Sequence, residues 1–498
     1  VNDAISLIEI LRDRFKKNRI YLVGHSFGSL IGIILSQKIP QYIKAYISIG
    51  QVVNINEGDK FIYKILLKKV NNENYQKGIK ILKNIGKLVT MQGSSSFRVK
   101  EEMNKINIIE NAYIAVKNGK ILAIGVGDEF GNLCGDDTKI HDAEGLLVTP
   151  GLIDSHTHLI HGGSRENEFS MKLNGVPYIE ILNNGGGILS TVKATKEASE
   201  EELYKKAKKS LDRMLEFGVT TVEEKSGYGL ELNTEIKQLE VARVLDKNHP
   251  VDLVHTFLGA HAVPEEYKEN HKAYIDILVD VMMPKIKDMG LAEFCDVFCE
   301  EGVFTIEESE YILQKAKEIG YKLKIHADEI ESLGGAELAA KLGCVSADHL
   351  MAASDEGIKM MAENNVVANI LPATSFNLNK NYADCRKMID MGAIVSLSSD
   401  YNPGSCPSEN LQLVMQLGCL HLKMTPNEVL TAVTINAAYA IDRADKIGSI
   451  EVGKNADFVV FDALNVEYLM YHFGINHTKK VYKNGNLVVD NKVVVYDK

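Results

Sequence analysis

Pro150-Gly-Leu-Ile-Asp-Ser-His-Thr-His158 is the stretch on which the reading of this chain turns. It starts apolar and ends in Asp154, His156 and His158. His156 and His158 stand two residues apart, so an extended strand points both to one side. Two imidazoles projecting together can reach one metal ion. The pair alone is a weak signal, and its partners must come from elsewhere in the chain.

Downstream, short apolar runs alternate with helical stretches. The runs are 146–153, 219–222, 253–258, 293–298, 323–325, 346–350, 366–371 and 394–398. Eight strand-helix units predict a (β/α)8 TIM-like barrel. The runs lack polar alternation, as parallel strands covered on both faces should. A barrel of this kind carries its site at the C-terminal strand ends. Those ends hold, in order, His156 and His158, Glu224 with Lys225, His261, Glu300, His326 with Glu329, His349, and Asp400. Such groups are costly to bury without partners. Their recurrence at one end of successive strands therefore marks a site. His156, His158, His326 and Asp400 offer three imidazoles and one carboxylate, a donor set that suits Zn2+ or Fe2+. An ion of that type makes hydroxide available near neutral pH.

The flanks have another texture. Stretches 80–91, 112–125 and 145–149 alternate apolar and polar residues between Gly turns, and 457–462, 479–485 and 487–489 repeat the pattern. Segments 79–148 and 436–498 are expected to build one small β-sandwich domain around a barrel at 149–435. Residues 1–78 differ again. A strand at 20–24 leads into Gly24-His-Ser-Phe-Gly28, then a helical stretch at 30–37, a short strand at 46–49 and a polar linker at 68–77. G-x-S-x-G between strand and helix is the setting of a nucleophile elbow, with Ser26 as the nucleophile. This part resembles an α/β-hydrolase. No His occurs between His25 and His141, and no oxyanion strand precedes the motif. The region reads as a partial α/β-hydrolase-like segment.

Composition sets outer bounds. Of 498 residues, 45% are hydrophobic and 25% charged, the balance of a soluble globular protein. A net charge of -11 argues against nonspecific nucleic-acid binding. No apolar window is long enough for a membrane span, and the first residues carry no secretory signal pattern. Seven scattered Cys fit a reducing cytoplasm better than a disulfide framework. The chain opens on Val1 and not on Met, as a piece of a longer reading frame would.

Pro150 to His158 resembles the opening strand of the amidohydrolase superfamily. Four further segments resemble its imidazolonepropionases of histidine degradation: His158-Leu-Ile-His-Gly-Gly-Ser-Arg-Glu166, Lys225-Ser-Gly-Tyr-Gly229, His326-Ala-Asp-Glu329 and Ser399-Asp-Tyr-Asn-Pro-Gly-Ser405. The likeness runs from about residue 80 to 490. It implies hydrolysis of the ring amide of 4-imidazolone-5-propanoate to N-formimidoyl-L-glutamate. It implies His156, His158, His326 and Asp400 as metal ligands. Arg165, Tyr228, His261, Glu329, Asn402, Gly404 and Ser405 fall on substrate-contacting positions, and His349 on a polarising or proton-transfer position. A homodimer is also implied. Two-metal relatives bridge their ions with a modified Lys on the fourth strand; run 293–298 has none, so one ion is expected.

The chemistry of the residues agrees. Arg165 offers a planar fork to the substrate carboxylate. Glu329 or Asp400 can move the proton, and spacing does not choose between them. Glu224 and Lys225 read either as a buried ion pair or as substrate contacts. Gly185-Gly-Gly187 reads as an active-site loop. Two other functions stay open: a different mononuclear amidohydrolase such as a base deaminase or cyclic amidase, and a non-catalytic scaffold. Arg165 speaks against the first, and the full ligand set against the second.

Overall fold

The computed structural model describes residues 2–16, 18–25, 32, 35–36, 39–49, 78–93, 96–176, 180 and 185–496. The chain divides into two units, Val1–Tyr75 and Gln76–Lys498.

In the first unit, helix Asn2–Phe15 precedes β1 (Ile20–His25) and β2 (Ile43–Ile49), which pair in parallel. A parallel pair needs a crossover between its strands. Leu35 and Ile39, from that crossover, join Ile8 and Ile43 in a small buried cluster. Ser26 and the linker at 68–77 lie outside the described residues.

The second unit opens on five strands: β3 (Lys80–Val89), β4 (Ile108–Lys117), β5 (Lys120–Val126), β6 (Lys139–Asp142) and β7 (Leu147–Pro150). Eight parallel strands follow: β8 (Leu152–Thr157), β9 (Val219–Lys225), β10 (Asp252–Ala260), β11 (Phe294–Cys299), β12 (Lys322–Ala327), β13 (Ser346–His349), β14 (Val367–Ile370) and β15 (Ile394–Leu397). They neighbour one another in chain order. The ring closes through a parallel bridge between Thr157 and Tyr401 and a hydrogen bond from Asp400 N to His156 O of 3.1 Å. Asp154 adds to the seam by accepting from Ser399 N at 2.9 Å and Ser399 Oγ at 2.5 Å. This is the expected barrel.

The small β domain drawn from both flanks is also there. After the barrel come β16 (Phe458–Phe461), β17 (Thr478–Lys483), β18 (Asn486–Asp490) and β19 (Val493–Val494). β16 pairs antiparallel with β7, matching Val459 to Thr149, and so joins the two flanks into one mixed sheet. Leu82, Ile85, Leu88, Ile114, Val148, Phe458 and Val460 form its apolar core.

Run 146–153 is not a single strand. It breaks at Gly151, with β7 given to the small sheet and β8 to the barrel. A Cβ on Gly151 would lie 2.2 Å from Thr220 Oγ1, so only glycine lets the chain pass this close to β9.

The helices that wrap the barrel are locally specified. Ser199 with Glu202 and Thr305 with Glu308 form capping boxes that start helices Glu200–Glu216 and Ile306–Ile319. Gly320, at φ 96°, ends the second. Each buried face inserts Leu, Met and Ile side chains against the strands, including Leu211, Met214, Leu215, Ile312 and Leu313. Each such side chain contributes about 1.5–3 kcal/mol. No helix among the described residues is long and apolar enough to cross a membrane.

Candidate active site

The strands deliver their polar ends to one place. His156 lies near the C-terminal end of β8 and His158 just follows it, His326 lies in β12, His349 ends β13, and Asp400 follows β15. Ring centroids of His156 lie 5.3 Å from His158, 4.6 Å from His326 and 5.6 Å from His349. Asp400 Oδ1 is 3.6 Å from His156 Nε2 and 3.6 Å from His158 Nε2. Asp400 Oδ2 accepts from Thr374 Oγ1 at 2.5 Å, which turns Oδ1 toward the imidazoles.

Two backbone positions here are strained. His349 has φ 77° and Asp400 φ 57°, both in the left-handed region. Such conformations cost about 1–3 kcal/mol each and persist where surrounding structure imposes them, commonly at functional sites.

These residues fit a divalent ion. His156/His158/Asp400, His156/His326/His349 and His158/His261/His326 each bring three donor atoms within 4.8 Å of one another. Nε2 of His156 and Nε2 of His326 are buried with no hydrogen-bond partner among the described residues. Their other nitrogens are engaged. His156 Nδ1 lies 2.6 Å from Asp348 Oδ2, and His326 Nδ1 lies 3.1–3.2 Å from the oxygens of Asp296. A proton held on Nδ1 leaves Nε2 as a lone-pair donor, the arrangement that metal-ligating histidines use. Burial holds His156 and His158 neutral, well below the ordinary histidine range. Burial pushes His326 the same way, but Asp296 outweighs it and raises the group.

The fourth strand brings Asp296 and no Lys. A further cluster of Asp296, His326 and Asp348 could in principle hold a cation. It already has one, the Lys225 ammonium, 2.8 Å from Asp296 Oδ2 and 3.3 Å from Asp348 Oδ2.

Glu329 sits beside the cluster, with Oε2 3.7 Å from His349 Nε2. Burial pushes its carboxyl up to about 7. Its loop is braced on both sides. Glu300 accepts from the backbone of Ile330 at 2.8 Å and Glu331 at 3.3 Å. Asp328 accepts from four consecutive backbone N–H groups, Leu333 to Ala336, at the start of helix Gly335–Leu342. Glu300 thus holds the loop and does not open into the cluster as a reactive group.

On the other side lie Tyr228 and His261. His261 stacks on His158 with centroids 4.7 Å apart and 6° between planes, and Tyr228 packs at 5.7 Å from His158. Burial lowers His261 to about 3, so it is neutral. His161 is buried beside Tyr228, with ring centroids 6.1 Å apart, and its Nδ1 meets His158 O at 2.9 Å.

Arg165 precedes helix Glu166–Leu173. Its Nε and Nη2 donate to Glu168 Oε2 at 3.0 and 2.8 Å. Glu168 Oε1 in turn accepts from Gly187 N at 3.0 Å and Ser190 Oγ at 3.2 Å, which ties Arg165 to the glycine loop. Arg165 Nη1 comes so near Gly404 that a Cβ there would lie 2.1 Å away. Gly404 belongs to a turn built by Asn402, whose Oδ1 accepts from Gly404 N at 2.8 Å and Ser405 N at 2.7 Å. Asn402 Nδ2 donates to Asp400 O and Ser405 Oγ, both at 2.7 Å. Asn402 is therefore occupied in shaping the turn. Gly404→Ala is expected to displace the Arg165 fork. Loss of one charge-assisted bond, about 1.5–3 kcal/mol, predicts a KM increase of roughly 10–100-fold with kcat little changed. Steady-state kinetics of the variant check this, and an unchanged KM contradicts it.

The reading of Glu224 and Lys225 as a pair is corrected by strand alternation. Lys225 shares a face with Glu223, which its Nζ meets at 2.9 Å. Glu224 points to the other face, buried, with neither oxygen bonded to a described residue, and burial raises it well above the carboxylate range. Sequence reading passed over Asp296, Asp348, Thr374 and Glu168. Asp296 and Asp348 had a visible signal: each is an acid inside a strand covered on both faces, and so needed a partner.

Comparison with known proteins places this geometry. An amidohydrolase family model matches residues 147–488, and an alpha/beta hydrolase fold model matches residues 2–72. The imidazolonepropionase of Alkaliphilus metalliredigens is 59% identical over 417 residues, covering 83% of this chain and 99% of that protein. That of Fusobacterium nucleatum is 60% identical over 409 residues, covering 82% and 98%. Among solved structures, a zinc-bound adenosine deaminase from Xanthomonas campestris shares the fold with a TM-score of 0.63 at 17% identity, covering 84% of this chain and 94% of that one. Escherichia coli guanine deaminase does so with a TM-score of 0.64 at 16% identity, covering 83% and 99%. At nearly full length of relatives far above the identity that defines a family, the chain belongs to the amidohydrolase family, among the imidazolonepropionases.

Proposed function

We infer that the chain hydrolyses the ring amide of 4-imidazolone-5-propanoate to N-formimidoyl-L-glutamate, with His156, His158, His326 and Asp400 holding one divalent ion, zinc or iron. The observation that carries the assignment is the Arg165 fork beside the turn that begins at Asp400, which sets a carboxylate anchor next to the hydrolytic cluster. The Lys225 ammonium among Asp296 and Asp348 supports one ion over two.

The ion supplies Lewis acidity and lowers the pKa of water. Arg165, clamped by Glu168 through Nε and Nη2, keeps Nη1 for the substrate carboxylate. Ser405 and Gly404 line that end. Tyr228 and His261 flank the ring opposite His349, whose N–H faces the carbonyl oxygen. Glu329 takes the proton of the attacking water and passes it to the ring nitrogen as the C–N bond breaks. The water oxygen ends on the carbonyl carbon as a new carboxylate. Glu329 suits this role better than Asp400, because Asp400 Oδ2 is already tied to Thr374 and Oδ1 faces the imidazoles.

A proton acceptor must be ionised. Glu329 is raised to about 7, so turnover falls as pH drops toward and below that value. Glu329→Gln is expected to cut kcat by about 10²–10⁴-fold and to flatten the limb. A pH–rate profile of the variant that keeps the limb would move the role elsewhere. The reaction itself is tested in 18O-labelled water. One labelled oxygen is expected in the new carboxylate, while ammonia release from neutral ring bases would favour the deaminase alternative.

A further inference from the structure

Behind the imidazoles lies a fully buried group of charges. Lys225 Nζ meets Glu223 Oε1 at 2.9 Å, Asp296 Oδ2 at 2.8 Å and Asp348 Oδ2 at 3.3 Å. Lys324 Nζ meets the other oxygen of Glu223 at 2.6 Å. All five side chains are 0% exposed. They come from four strands, Glu223 and Lys225 from β9, Asp296 from β11, Lys324 from β12 and Asp348 from β13, and so form a layer across the barrel.

The layer is not placed at random. Asp348 is the carboxylate 2.6 Å from His156 Nδ1, and Asp296 is the one 3.1 Å from His326 Nδ1. One ammonium therefore touches both carboxylates that orient two of the proposed metal ligands. Three carboxylates against two ammonium groups leave one negative charge in the layer. The ligand set of three neutral imidazoles and one carboxylate around a divalent ion leaves one positive charge. The two shells cancel only when the ion is bound.

We propose that Lys225 is a positioning residue for the metal centre: by bridging Asp296 and Asp348 it fixes the imidazoles of His326 and His156 with Nε2 toward the ion. The inference rests on the metal reading above. A purely structural ion cluster would need charge balance but no particular link between these two acids. The two roles separate in a pair of variants. Lys225→Met removes the bridge and leaves the layer with an extra negative charge. Lys225→Met with Glu223→Gln removes the same bridge but restores the charge, because Glu223 touches neither imidazole among the bonds above.

The measurement is Zn2+ affinity of the full chain by competition with a chromogenic chelator, beside thermal unfolding of the metal-free proteins. Wild type that takes up no Zn2+ would refute the metal reading itself. With wild type loaded, the double variant is expected to regain thermal stability yet bind Zn2+ about 10–100-fold more weakly, the usual effect of losing an outer partner of a ligand. The visible bands of its Co2+ form are expected to shift as the imidazoles reorient. Wild-type Zn2+ affinity in either variant overturns the proposal. So does a double variant as unstable as the single one, which would assign Lys225 to the fold alone.

Discussion

His326→Ala is expected to leave a folded chain that holds no stoichiometric metal and turns over no substrate. The ring sits in β12 with Nε2 buried and unpartnered and Nδ1 on Asp296. Removing it takes away a proposed ligand and the imidazole that three of the donor clusters share. The fold has reason to survive, because Asp296 keeps Lys225 at 2.8 Å as its counter-ion. Loss of an outer partner typically costs 10–100-fold, so loss of a ligand should cost about 10³-fold or more in kcat/KM. Metal analysis and kinetics on the same preparation check this. A variant with full metal content and kcat within tenfold of wild type would remove His326 from the site.

Arg165→Ala is expected to act on KM. The guanidinium is nearly buried and already paired with Glu168, so its orientation is set before substrate arrives. Truncating one partner of a buried charge pair costs about 2–5 kcal/mol, or roughly 30-fold to several thousand-fold in affinity. In the proposed function the reacting amide lies at the metal cluster and not at Arg165, so kcat should change far less. Glu168 would then be left as a buried acid without its cation, which adds to the cost. Equal loss in kcat with KM unchanged would show that Arg165 acts on the transition state and does not anchor the carboxylate.

Much of this was legible before any coordinates. The His-x-His spacing is local geometry, and a strand dictates which side both rings face. Eight apolar runs announced the barrel because buried parallel strands leave no room for alternation. The remaining features are long-range. The break at Gly151 depends on how closely β8 approaches Thr220, which periodicity does not encode. The true partners of Lys225 come from strands up to 123 residues away in the chain, Asp348 among them. Pairing it with adjacent Glu224 ignored that neighbours in a strand face opposite ways. Asn402 matched a substrate-contacting position, yet its amide is engaged within its own turn. Motif matching finds the residue but not which of its atoms are free. The Ser26 motif falls outside the described residues, so its reading stays where the sequence left it.

One measurement bears on the central claim most directly. The purified chain, loaded with Zn2+, is mixed with 4-imidazolone-5-propanoate and the ultraviolet absorbance of the ring is followed. Enzymatic decay of that absorbance with matching appearance of N-formimidoyl-L-glutamate is the predicted result. A fully metal-loaded chain that leaves the absorbance at its spontaneous rate of decay would contradict the account.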